Sequence, residues 1–132
     1  MRTLHTLAFV PLLMALFAGC AAQKAAPTPV VGLLDVVSRP AERALQGGLR
    51  AYDDAQYADA EKQLNQALKA GLASPRDRAA AHKTLAFIYC TSNRALECEA
   101  EFRAAKTADP GFALSKSEQG HPVWGPVYKR LQ

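Results

Sequence analysis

The sequence is poor in the features on which most enzymes and nucleic-acid-binding proteins depend. It has three cysteines and no Cys-x-x-Cys pair, which leaves little material for a metal site. It also has no Gly-rich phosphate loop and no serine or cysteine in a nucleophile-elbow pattern. Its 16 lysines and arginines are spread along the chain rather than concentrated in a stripe, which argues against nucleic-acid binding. We therefore predict a protein that is not an enzyme and that needs no metal or cofactor.

The length and the composition indicate one small helical domain. The chain has 132 residues and a formal charge of +4, which suits a single domain rather than two. Alanine is frequent and aromatic residues make up only 8% of the chain. Since alanine with scattered leucine favours closely packed helices over sheet, we predict an all-α fold.

The chain begins with a segment typical of a signal peptide. Its apolar run from Leu7 to Gly19 would rise only about 20 Å as a helix. This is short of the ~30 Å core of a bilayer and fits the core of a signal peptide. The run ends in Phe17-Ala18-Gly19-Cys20, which resembles the bacterial lipobox, although that family usually has leucine at the position of Phe17. The resemblance implies cleavage before Cys20 and acylation of its thiol and its new amine. An ordinary secretory signal with a chance cysteine is the alternative.

Residues 1–19 are therefore predicted to be a lipoprotein signal peptide, and residues 20–37 a lipidated N-terminus and tether. More than one acyl chain gives stable anchoring. Alanine rather than aspartate follows Cys20, which resembles the outer-membrane default of lipoprotein sorting. We predict attachment to the periplasmic face of the outer membrane, with the inner membrane as the alternative. The apolar residues 30–37 are predicted either to dock on the domain or to contact a partner.

Apolar residues at spacings of three and four predict four helices between residues 38 and 110. Ser38 offers a capping hydroxyl for the first helix, and Ser74 to Asp77 resembles a capping box that opens the third. The apolar face of the second helix is predicted to include Tyr57, and that of the fourth Leu96. The breaks after the successive helices are placed at Asp53-Asp54, Gly71, Thr91 to Asn93 and Asp109-Pro110.

The four helices are two copies of one unit. Four core positions recur after 38 residues, because Gly48, Ala60, Leu64 and Ala67 return as Ala86, Cys98, Phe102 and Ala105. The pattern of small, aromatic and alanine positions with a closing proline resembles the tetratricopeptide repeat over residues 41–110. The first copy departs from that family at Ala51, where an aromatic should stand, with Tyr52 displaced by one. The resemblance implies two helical hairpins over residues 38–110, and we predict that residues 111–132 form a short cap on the second.

Cys90 and Cys98 lie symmetrically about the predicted turn of the second hairpin. Their side chains can therefore face each other, and an oxidising compartment permits disulfides. We predict a disulfide between them, with a stabilisation of roughly 2–3 kcal/mol. The alternative is two unpaired small hydrophobic residues. His82 is the only imidazole near them, so no metal site is expected.

Repeats of this type commonly bind other proteins in the groove that the first helix of each hairpin lines. The alternative is that the tether or the tail buries some of the groove. The residues predicted to line it are Leu45, Leu49, Tyr52, Lys83 and Phe87.

The remaining polar residues do not suggest catalysis. Glu97, Glu99 and Glu101 alternate along a helix, so we predict a solvent-exposed surface rather than a carboxylate pair. His121 lies near Trp124 and is predicted to be a packed tail residue.

The lipobox, the short tether, the two hairpins and the Trp-containing tail together resemble the small repeat lipoproteins associated with type VI secretion, the TssQ-like family. The resemblance implies a non-catalytic accessory protein that helps to assemble or stabilise an envelope-spanning apparatus through other envelope proteins. Two other functions stay open: a pilotin-like or outer-membrane-assembly lipoprotein, and a regulator of peptidoglycan hydrolases or a degenerate enzyme. The most suggestive strings are Phe87 to Cys90, Cys98 to Phe102, Asp109 to Phe112 and Gly120 to Pro126.

Overall fold

Helices account for all the regular structure in residues 39–132, the part of the chain that the computed structural model describes. This confirms the predicted all-α fold with two hairpins and a cap. The predicted signal peptide, the lipid attachment at Cys20 and the tether lie outside these residues. The helices are α1 (Pro40–Asp53), α2 (Tyr57–Ala70), α3 (Pro75–Thr91), α4 (Ala95–Ala108), α5 (Lys116–Gln119) and α6 (Trp124–Lys129).

Two hairpins, α1 with α2 and α3 with α4, form the body of the domain. They stack through contacts of α3 with α1 and with α2. In the first hairpin the backbones approach at Gly48, where a Cβ atom would stand 2.7 Å from the Leu64 side chain and 3.1 Å from its backbone nitrogen. A side chain there would force the two helices apart, which explains why this position of the repeat is small.

The core follows the 38-residue repeat. Its positions are buried in both hairpins, and small residues alternate with large ones so that neighbouring helices interdigitate. The repeat residues on α2 and α4 are Ala60, Leu64 and Ala67 in the first hairpin and Cys98, Phe102 and Ala105 in the second, none of them more than 2% exposed.

The two hairpin turns also share one backbone geometry, 38 residues apart. Ala55 and Asn93 both adopt positive φ angles, of 58° and 61°. In each turn the amide of the following residue donates to the carbonyl five residues before it, at 2.8 Å in the first hairpin and 2.9 Å in the second. The sequence repeat is therefore also a repeat of turn structure.

Two local expectations, for Tyr57 and Leu96, differ from the structure. Tyr57 and Leu96 are 49% and 83% exposed, so neither belongs to the core face of its helix. Leu96 lies two residues before the buried Cys98, about 200° around the helix, and therefore points away from the partner helix. Ser38 lies outside the described residues, and Arg39, which precedes α1, makes no capping bond with its side chain. Ser74 does cap α3, since its hydroxyl accepts from the Asp77 amide at 3.3 Å.

The cap consists of an extended segment followed by α5 and α6. Leu114 is buried, and its amide donates to the hydroxyl of Tyr128 at 3.2 Å. The Tyr128 ring in turn lies 5.3 Å from that of Phe102, between ring centroids. A Cβ atom at Gly125 would stand 2.4 Å from the Gln119 carbonyl oxygen, so only glycine lets α6 approach α5 this closely. The cap thereby covers α3 and α4, which it contacts through α6.

Candidate functional site

The five residues predicted to line the groove do lie on neighbouring helices. Leu45, Leu49 and Tyr52 are on α1, and Lys83 and Phe87 are on α3. The rings of Tyr52 and Phe87 lie 6.5 Å apart, between centroids, which joins the two helices across the groove. Their exposure differs, because Leu45 and Phe87 are buried whereas the other three are half-buried.

Residues 111–132, which form the cap and are called the tail from here on, occupy the half of this groove that belongs to the second hairpin. The indole of Trp124 stacks on Phe87 at 4.2 Å between ring centroids. The Lys83 ammonium is 2.7 Å from a carboxylate oxygen of Glu118, at the end of α5. Phe87 is only 5% exposed as a result. The prediction that Phe87 and Lys83 face a partner is therefore wrong in this structure, because the chain's own tail covers them.

Local bonds hold the tail in this position. Ser115 and Glu118 form the only reciprocal capping box found within residues 39–132: the Ser115 hydroxyl accepts from the Glu118 amide, and the Glu118 carboxylate accepts from the Ser115 amide at 2.8 Å. The indole N–H of Trp124 donates to the Glu118 carbonyl at 2.9 Å. His121 then stacks on the other face of the same indole, at 3.3 Å between ring centroids. This agrees with a packing role for His121.

The charge of Glu118 depends on its neighbours. Partial burial by itself raises the pKa of this carboxyl, but hydrogen bonds from Lys83 and from Ser115 outweigh it, so that its pKa lies below the ordinary value of 4.5. The carboxylate therefore stays ionised over the physiological pH range, and the contact with Lys83 stays an ion pair.

The half of the groove that belongs to the first hairpin is open. Leu49 and Tyr52 are half-buried there, and Leu45 forms the floor. A depression of about 420 Å³ lies between α1 and the start of α3. Its rim carries charges of both signs, from Arg39, Glu42 and Asp77. The arrangement can hold a short apolar segment of a protein.

The polar residues on α3 and α4 form structural pairs. Nδ1 of His82 lies 2.6 Å from a carboxylate oxygen of Glu101, which joins the two helices of the second hairpin. Glu99 likewise contacts Arg103 and Arg130. Glu97 pairs with Arg94 at 3.1 Å. The expectation of a solvent-exposed surface holds for Glu97, which is exposed, and is wrong for Glu99 and Glu101, which are half-buried. Among residues 39–132, no three His, Cys, Asp or Glu side chains come together in a way that would hold a metal ion.

A disulfide joins Cys90 and Cys98, whose Cα atoms are 5.1 Å apart. It links the end of α3 to the start of α4, and both residues are buried. Cys98 occupies the repeat position that Ala60 occupies in the first hairpin, so a small residue stands there in both hairpins.

Sequence reasoning missed Arg94 altogether. Its guanidinium binds both carboxylate oxygens of Glu61, at 2.9 and 3.0 Å, and lies 4.0 Å above the ring of Tyr89. Hydrogen bonds to Glu61, and secondly to Glu97, raise the pKa of Arg94. The contact joins the second hairpin to α2 of the first. No periodic pattern marks it, since Glu61 is 33 residues away in the sequence.

The chain matches no protein-family model, no curated protein and no solved structure. None of the helices described here is long and apolar enough to span a membrane.

Proposed function

We propose that this protein is a membrane-anchored adaptor without catalytic activity, which binds another protein of the cell envelope in the open half of its groove. The lipid at Cys20 attaches it to the periplasmic face of the outer membrane. The domain over residues 39–132 supplies the binding surface. The tail closes the other half of the groove and limits how much of a partner the domain can hold.

One observation carries the proposal. The first hairpin and the start of α3 form a depression that Leu45 and the half-buried Leu49 line, and no residue of the tail contributes to its lining. Burying an apolar side chain of a partner there would contribute a favourable hydrophobic free energy of about 25 cal/mol per Å² of apolar area removed from water. The ion pair of His82 with Glu101 joins α3 to α4 and takes no part in the lining of the depression.

Type VI secretion is the system that we propose for this adaptor, and the support for it is the resemblance of the sequence to the TssQ-like lipoproteins. A pilotin-like or outer-membrane-assembly role uses the same anchor and groove, so the experiment has to separate them. In the organism that carries the gene, we expect its deletion to impair assembly of a contractile secretion apparatus. Loss of a secretin or a pilus instead would favour the second function, and altered peptidoglycan cleavage would favour the third.

Substitutions of matched type test whether the groove does the binding. Leu49→Asp places a charge in the open half of the groove, whereas Leu96→Asp makes the same change at a leucine that is 83% exposed on α4. We expect cross-linked co-purification of apparatus components to fall with Leu49→Asp and to stay unchanged with Leu96→Asp, with both chains folded by circular dichroism. Equal co-purification by both variants would show that the groove is not the binding site.

A further inference from the structure

A second recess lies between α4 and α6, with Phe112 and Ala113 also in its lining. It has a volume of about 510 Å³. Its floor is apolar and includes Phe102, Phe112, Tyr128 and Leu131, and its rim carries Arg103 and Lys106. Neither Leu49 nor Tyr52 of the groove contributes to it, so it is a separate surface.

The excess of positive charge in the described domain lies in the segment of the chain that lines this recess. Residues 39–101 carry nine basic and nine acidic side chains, whereas residues 102–132 carry five basic and only two acidic ones. One of those two, Glu118, is paired with Lys83 in the groove. The net charge of the described domain therefore comes from the segment that forms the recess.

Two arginines beside the recess share a single carboxylate. Glu99 lies 3.1 Å from Arg130 and 3.4 Å from Arg103, and both arginine side chains are more than half exposed. The bond from Arg130, and secondly that from Arg103, holds the pKa of Glu99 below its ordinary range. One negative charge between two positive ones leaves room for a second carboxylate at the rim.

The shape of the recess favours a protein segment over a lipid surface. Membrane-binding surfaces insert protruding apolar side chains between lipids. Here the aromatic residues lie at the bottom of a concave site, where Phe102 and Tyr128 are 2% and 6% exposed. A concave apolar floor with a few polar groups at its edge is instead suited to receiving an inserted side chain.

We infer that the recess between α4 and α6 binds an acidic segment of a partner protein, with an apolar side chain of that segment seated on the floor and a neighbouring carboxylate at Arg103. The inference goes beyond the proposed adaptor function, since it concerns another surface and holds whichever system the protein serves. Together with the groove, the recess would give the adaptor two docking surfaces on one small domain.

Short synthetic peptides test the inference directly. Each contains a tryptophan or leucine anchor followed by glutamates, and its control contains lysines in place of the glutamates. Binding is measured by fluorescence anisotropy to the full chain in nanodiscs of phosphatidylcholine. We expect the glutamate peptides to bind and the lysine peptides not to bind, and Arg103→Glu to weaken the glutamate peptides roughly fivefold or more.

Two further variants locate the binding. Ala113→Trp fills the recess from its exposed edge and should also weaken the glutamate peptides, whereas Arg76→Glu makes the same charge change at an exposed site on α3 and should not. Absence of binding by every glutamate peptide would overturn the inference. So would binding that neither Arg103→Glu nor Ala113→Trp weakens. Binding to phosphatidylglycerol vesicles that Arg103→Glu abolishes, without peptide binding, would show a lipid surface in its place.

Discussion

The indole of Trp124 stacks on the ring of Phe87, with ring centroids 4.2 Å apart and ring planes 21° apart. Trp124 belongs to the last helix and Phe87 to the first helix of the second hairpin. This contact decides which part of the groove is free, because it covers the second hairpin's share and leaves that of the first. The size and the position of the proposed binding surface therefore depend on the tail.

We expect Trp124→Ala to detach the tail from the groove and to lower the free energy of unfolding by roughly 2–4 kcal/mol. This is somewhat less than for a fully buried tryptophan, because Trp124 is half-buried. Hydrogen exchange should show faster exchange at the amides of α5 and α6 than in the wild-type chain. Val123→Ala is the control, since this neighbouring side chain is 45% exposed and its change should stay within about 0.5 kcal/mol. Equal stabilities of the two variants would show that the stack does not hold the tail.

The contact between Lys83 and Glu118 should make attachment of the tail depend on pH. Because the folded pKa of Glu118 lies below its ordinary value of 4.5, the unfolded chain takes up a proton at higher pH than the folded one. The stabilisation is therefore complete above the unfolded pKa and is lost as pH falls through the folded one. Thermal melts between pH 7 and pH 3 should show a smaller acid destabilisation for Glu118→Gln than for the wild-type chain. The same acid dependence in both would refute this role of the ion pair.

Glycine should have opposite effects at two alanines, Ala55 in the first hairpin turn and Ala100 inside α4. Ala55 has a φ of 58°, a left-handed conformation that costs an L-residue about 1–2 kcal/mol. Ala55→Gly should therefore raise the free energy of unfolding by about 0.5–1 kcal/mol, after the entropy that glycine adds to the unfolded chain. Ala100→Gly, at an exposed position inside α4, should lower it by about 1 kcal/mol. Denaturant titrations check both, and a destabilising Ala55→Gly would contradict the turn geometry.

The helices and the repeat could be predicted because their signals are local. Gly71 ends α2 with a φ of 90°, and a glycine at this point indicates locally where the helix ends. The small residue at Gly48 recurs as Ala86, and this repeat indicates where the helices of each hairpin touch. Tyr57 shows the limit of this reasoning. It lies three residues before the buried Ala60, at helical spacing, yet it is the first residue of α2 and stays half exposed.

The candidate site could be predicted only in part, because its decisive contacts are distant in the sequence. The repeat pattern located the groove on α1 and α3. It gave no signal that Trp124 would lie on Phe87 or that Glu118 would reach Lys83, 35 residues away. Such contacts depend on the path of the tail after α4, which no periodicity records. The sequence leaves open whether the tail buries part of the groove. Only the structure shows that the tail covers Phe87 and leaves Leu49 uncovered.

The disulfide between Cys90 and Cys98 should form in the cell as well. Mass spectrometry of chain extracted and alkylated without reductant should find both thiols protected, before and after unfolding. The Cys90→Ala, Cys98→Ala variant should lose roughly 2–3 kcal/mol of stability, because closing a short loop lowers the entropy of the unfolded chain. Free alkylation of both cysteines after unfolding would show that the bond is absent.

The proposed adaptor depends on a lipid at Cys20 that attaches it to the membrane. Labelling of Cys20 is the measurement that tests this claim most directly. Cells are grown with an alkyne analogue of palmitate, and the label on the wild-type chain is compared with that on Cys20→Ser, in which no thiol can accept the diacylglycerol. We expect a labelled, processed wild-type chain in the outer-membrane fraction and an unlabelled, unprocessed Cys20→Ser chain. Label retained by the Cys20→Ser chain, or no label on the wild-type chain, would contradict the account.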